Sequence, residues 1–256
     1  MAVTWRKQAN AVLRICWFNG CLGLIRSPLV FVALFLTPVS FLFFLYVVAP
    51  RAELPYGVVG GVLFSCLFTG SGMMNDCAYL RLERQMQQVF ITSPLRPISW
   101  VLGMALSELT FTIPALVLFL VVLTLVTPVS ISAFLALIGV IVLTWLLATS
   151  LGFLLSTFFR TLREIWPIGM VVFTSLSVLP PVFYSLAAVP ASFRWIAYVA
   201  PSTFASQLAV SAAGLPVTSV PGAPFLSSVG GQLLGLVLLT ALFIGVAMRF
   251  ARWRDP

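Results

Sequence analysis

Six stretches of the chain are apolar for about the length that crosses a bilayer, roughly 20 residues each. They lie at about 28–49, 57–75, 98–126, 132–157, 165–184 and 227–248. The rest of the composition agrees with them. Only 8% of residues are charged, 61% are apolar and the mean hydropathy is +1.12, whereas a soluble domain carries about 25% charged residues. The chain lacks the polar surface to cover a globule in water, so the expectation is an all-α polytopic membrane protein formed as one transmembrane domain. Its 256 residues leave no room for an appended soluble catalytic domain of ordinary size.

The residues outside these runs organise the domain. Residues 1–27 place Trp5, Val12, Leu13, Cys16 and Trp17 at helical spacing, with Arg6, Lys7, Asn10 and Arg14 on the other side. This is the pattern of an amphipathic helix in the headgroup layer, apolar face down and cations towards anionic lipid. Spans one and two fill 28–75, a polar cytoplasmic segment fills 76–97, spans three to five fill 98–184, and the sixth span at 227–248 precedes a tail at 249–256. The segment 185–226, with Pro190, Pro201, Pro216, Pro221 and Pro224, resists one straight helix and predicts short helices and turns. With the amino terminus inside, all of the 14 Lys and Arg except Arg51 and Arg194 fall on the cytoplasmic side. That bias sets both termini as cytoplasmic. It also explains the net charge of +8 through inner-leaflet lipid, without a nucleic-acid partner.

Much chemistry is excluded by residue type. The chain has no histidine, which removes Ser-His-Asp and Cys-His pairs, histidine metal sites and histidine proton relays. Its only lysine, Lys7, follows no glycine-rich turn, so no phosphate-binding P-loop is present. The acids Glu53, Asp76, Glu83, Glu108, Glu164 and Asp255 are too scattered for a carboxylate metal cluster, and the four cysteines fit neither a metal spacing nor a disulfide framework. No catalytic, cofactor or metal residues are therefore assigned. An intramembrane enzyme would need paired acids or a nucleophile with its base. A secondary transporter would need ionisable residues in both halves.

The segment Asp76–Pro97 is the most informative. Tyr79, Leu82, Met86, Val89 and Phe90 recur at three- and four-residue steps, opposite Arg81, Arg84, Gln85 and Gln88. Asn75 or Asp76 can cap the start and Ser93-Pro94 ends the pattern. Two readings remain for this amphipathic helix: a solvated anchor between two spans, or a docking helix that passes a partner's motion to the spans.

Leu82-Glu83-Arg84, the mixed helix that follows, and Thr92-Ser93-Pro94 resemble the signature of the type-2 ABC exporter permease family. The run Pro180-Pro181-Val182-Phe183-Tyr184, with Val189-Pro190 and Ala200-Pro201, is similar to that family's re-entrant hairpin after the fifth span. Gln85-Met86 departs from the family, where many members carry an acidic residue and a glycine or threonine. The resemblance implies a homo- or heterodimer of six-span subunits in a bacterial or archaeal cytoplasmic membrane, each subunit seated on a separate ABC ATPase. ATP and Mg then belong to that partner, and Arg81, Leu82, Glu83, Arg84, Gln85, Met86 and Gln87 form the contact helix. Arg160, Arg163 and Glu164 are a candidate second contact. The expected cargo is an amphipathic drug-like molecule or lipid; a lipid-linked polysaccharide is the alternative, and a secondary transporter a weaker one.

Within the spans, Glu108 stands about eleven residues past Pro97, roughly 16 Å along the helix, where a carboxylate is costly. It marks either the cargo path or dimer seam, or a structural hydrogen bond to a neighbouring span, with Ser107, Thr110 and Thr112 close by. Phe64, Phe68, Phe111 and Phe119 are aromatics of the second and third spans against which a cargo could slide. Gly57, Gly60, Gly61, Gly70 and Gly72 thin the second span and let another helix come close.

Overall fold

The computed structural model describes residues 5–51, 53–84, 95–186, 189–217, 225 and 228–250. Among them every regular element is helical. The order is α1 (Trp5–Cys16), a π-helical turn (Trp17–Cys21), α2 (Leu22–Arg26), α3 (Pro28–Val48), α4 (Leu54–Leu82), α5 (Pro97–Val126), α6 (Ile131–Ser156) and α7 (Leu162–Val178). A short 3-10 turn (Ala191–Phe193), α8 (Arg194–Val199), α9 (Pro201–Ala212) and α10 (Val229–Phe250) complete it. Four stretches are long and apolar enough to cross a membrane: Leu54–Leu82, Pro97–Val126, Ile131–Ser156 and Val229–Arg249. The described apolar run of α3, Val32–Val48, and the 17 residues of α7 fall short of that length.

Helix α4 is the centre of the bundle. It packs against α3, α5, α6, α7 and α9, and nearly every face of its apolar stretch is covered. Glycines make this possible. A side chain at Gly152 of α6 would run into the Gly70 carbonyl oxygen, so the two backbones touch where the helices cross. Gly60 and Gly61 leave the space that the rings of Phe183 and Phe119 fill. Around α4 the buried side chains of Val59, Leu63, Leu67, Phe119, Leu147 and Phe173 supply the apolar core.

Two predicted boundaries are corrected. The second span does not end at 75 with a capped new helix at Asp76; residues 76–82 are the last two turns of α4. No glycine or proline interrupts the chain after Gly72, and Met73, Met74, Cys77 and Ala78 keep one continuous buried face. The fifth helix stops at Val178 instead of 184, because Pro180 and Pro181 lack the N–H groups that further turns need. Beyond it the short helices expected in 185–226 are present as the 3-10 turn, α8 and α9. Of these α9 is almost wholly buried, and Ser206 ties it to the Pro181 carbonyl at 2.8 Å.

The amino-terminal segment docks lengthwise on α5. The Arg96 N–H donates to Gln8 Oε1 at 3.2 Å, the Ser107 hydroxyl to the Ile15 carbonyl at 3.4 Å, and Asn19 Nδ2 to Met104 Sδ at 3.2 Å. Further along, Gly23 lies against Phe111. The π-helical turn accommodates an extra residue per turn, and within it Gly20 meets Ser107 and Thr110. Arg6, Lys7 and Arg14 are exposed, as are Trp5, Leu13, Trp17 and Phe18.

Candidate functional site

Where α4 ends, the chain leaves the bundle through four residues with different environments. Leu82 packs into the core between α4, α6 and α7. Glu83 and Arg84 are exposed. Arg84 lies over the Tyr79 ring, 5.5 Å from its centroid, and its Nε donates to the Tyr79 hydroxyl at 3.0 Å. Arg81 turns inward instead. Its Nη2 donates to the Ser156 carbonyl and the Phe159 carbonyl, each at 2.6 Å, and its Nη1 to the Thr157 carbonyl at 3.1 Å.

Those acceptors are the orphan carbonyls at the end of α6 and the turn behind it. A guanidinium suits them because its donors fan out in one plane and its charge complements the negative end of the helix dipole. The next residues are Arg160, Arg163 and Glu164, all exposed. Arg81 therefore fastens the end of α4 to the α6–α7 turn, and Glu83 and Arg84 follow it at the same end of the bundle as Arg160, Arg163 and Glu164. Gln85, Met86 and Gln87, with Thr92-Ser93-Pro94, lie outside the described residues.

The candidate path residues divide. Phe64 and Phe68 stack on each other along α4 at 5.9 Å between centroids. Phe64 also meets Phe41 of α3 at 6.3 Å and Phe183 at 6.0 Å, and Phe41 in turn meets Phe119 at 6.2 Å. Phe68 ends this ladder on the exposed surface. Phe111 is not part of it, since its ring packs against Gly23 of α2. Sequence reasoning missed Phe41 and Phe183, which no local pattern sets apart from the other aromatics of the chain.

Glu108 is buried on α5, and its Oε2 occupies the space that a side chain at Gly72 would fill. The neighbouring hydroxyls do not serve its carboxyl. Ser107 donates to the carbonyls of Gly103 and Ile15, Thr110 to that of Leu106, and Thr112 to the backbone carbonyl of Glu108 itself. The ionisable group beside the Glu108 carboxyl is Asp76 of α4, one turn beyond Gly72. The signal for this partner was present: once α4 continues to Leu82, Asp76 lies about 9 Å inside the helix end and cannot be a solvated cap.

No group of three or more acidic, cysteine or histidine side chains capable of holding a metal occurs among the described residues. No curated protein matches the chain. A model of the ABC-2 type transporter family matches residues 11–213, from the docked amino-terminal segment through α9. The helical bundle is thus the membrane domain of an ABC transporter permease, and the chain belongs to the ABC-2 type transporter family.

Proposed function

We propose that the chain is the permease subunit of an exporter for an amphipathic small molecule or lipid, driven by a separate ABC ATPase that seats on the end of the bundle carrying Glu83, Arg84, Arg160, Arg163 and Glu164. The observation that carries this reading is the Arg81 clamp. A force applied at Glu83 reaches α4 directly and α6 and α7 through the guanidinium, so one contact moves three helices. An exposed surface rich in arginine suits a protein partner at the inner face, because arginine forms charge-assisted bonds in a fixed geometry.

In this reading α3 and α7 cross the membrane together with the four longer helices, both termini are cytoplasmic, and two such subunits form the transport unit. The ladder of Phe41, Phe64, Phe68 and Phe183 supports an amphipathic cargo, since stacked rings offer a dry face to acyl or aromatic groups without a fixed hydrogen-bond pattern. ATP and Mg are held by the partner. The test is purification of the tagged chain from its native membrane, with cysteines at positions 83 and 160 for crosslinking. An ABC ATPase crosslinked to both positions supports the reading; an ATPase that copurifies without either crosslink sinks the docking surface. ATP hydrolysis stimulated by lipids or apolar drugs supports the cargo class, and stimulation only by lipid-linked glycan replaces it.

A further inference from the structure

Two carboxyl groups meet inside the bundle without a cation. Glu108 lies roughly 16 Å beyond the start of α5 and Asp76 about 9 Å before the end of α4, and the half-buried Asp76 stands one turn beyond Gly72, against which the Glu108 carboxyl packs. Glu108 is 7% exposed, and its Oε1 is fully buried with no N–H or O–H donor in reach. Among the described residues, the elements packed around the pair supply no counter-charge. Asp76 and Glu108 apart, α4 brings Cys77 and Arg81 near it, and the Arg81 guanidinium is directed to the carbonyls after α6. Helices α6 and α9 hold no ionisable side chain and α5 none besides Glu108. On α1, Arg6, Lys7 and Arg14 are exposed and Cys16 faces Thr110; on α7, Arg163 and Glu164 are exposed; on α3, Tyr46 is exposed; and on α10, whose Ala247 packs near Cys77, Arg249 is exposed.

Two ionised carboxylates are both acceptors, so they cannot hydrogen-bond each other, and two unpaired negative charges in so apolar a setting repel at high cost. A single proton removes both difficulties, because one carboxyl then donates to the other. A proton shared between the two carboxyls removes the repulsion and supplies the donor that the pair otherwise lacks. We propose that Asp76 and Glu108 form a proton-binding site that holds one proton between α4 and α5.

The site joins the helix that enters the 83–96 connection to the helix that leaves it. With the proton bound, the two helices attract at this point; without it, the two carboxylates push them apart. The close fit of Glu108 against Gly72 makes that change in charge a change in helix contact. This inference concerns the chain alone and stands or falls separately from the identity of the ATPase or the cargo.

The test is infrared spectroscopy of the purified full-length chain in lipid nanodiscs. At neutral pH the wild type should show the C=O stretch of a protonated carboxyl in an apolar setting, and the band should vanish as the pH is raised. Glu108→Gln should abolish it, and Asp76→Asn should abolish or shift it. A wild-type spectrum without the band at neutral pH overturns the proposal, as does a band unchanged in both variants. Should the variants misfold, the wild type still decides through dicyclohexylcarbodiimide, which reacts with protonated carboxyls in apolar surroundings. Label on a peptide containing Asp76 or Glu108, falling as pH rises, supports the site; label confined to the other acids overturns it.

Discussion

The guanidinium of Arg81, one residue before the last of α4, donates at 2.6 Å to the carbonyl of Ser156, the last residue of α6. Hydrogen bonds from a charged donor are worth roughly 1.5–3 kcal/mol each when partly shielded from water, and this side chain makes two more, to Thr157 and Phe159. Arg81→Met should lower the unfolding temperature of the purified chain and uncouple ATP hydrolysis from transport. Arg81→Lys should rescue little, because an ammonium cannot span three carbonyls in one plane. Wild-type stability in both variants would refute the clamp.

Glu83 and Arg84 have the opposite character. Both are exposed, and the contact of Arg84 with Tyr79 lies on the surface. Replacing both by alanine should leave membrane insertion and the unfolding temperature within error of wild type while transport falls several-fold. Transport at the wild-type rate would show that the partner grips elsewhere.

Helix α6 has one glycine in its crossing with α4 and another on its exposed face. A methyl group at Gly152 meets the Gly70 backbone, whereas one at Gly139 meets nothing within 4 Å. Gly152→Ala should cost about 1–3 kcal/mol or prevent folding altogether, as overpacking does. Gly139→Ala should be neutral. Thermal unfolding in detergent followed by fluorescence compares the two directly.

Members of the aromatic ladder should separate packing from cargo contact. Phe119 is 2% exposed, and Phe119→Ala should destabilise the fold by about 3–5 kcal/mol. Phe68 is 45% exposed, so Phe68→Ala should leave stability nearly unchanged and reduce the stimulation of ATP hydrolysis by apolar cargo. Phe111→Ala should loosen the amino-terminal segment from α5 without that loss of stimulation.

The helical class, the apolar runs and the broken course of 185–226 are legible in the sequence because hydrophobic length and proline act locally. The end of the second span is not. Residues 76–82 carry Asp76 and Arg81, and a reading by polarity takes them out of the bundle, while the structure sets each beside a residue of another helix: Glu108 for Asp76, the end of α6 for Arg81. Such partners lie tens of residues away and leave no trace in periodicity. The same limit hid Phe41 and Phe183, and it led Phe111 to be grouped with Phe64 and Phe68 although it points to α2. Glu83, Arg84, Arg160, Arg163 and Glu164 are exposed, since charge next to an apolar run does place a side chain at the surface.

The central claim is that this permease moves only when an ATPase moves it. The most direct measurement reconstitutes the purified chain in vesicles, with and without the ATPase that copurifies with it, and follows the cargo that stimulates hydrolysis. The account predicts accumulation against a gradient only when both proteins and ATP are present. Uphill transport by the chain alone would contradict it.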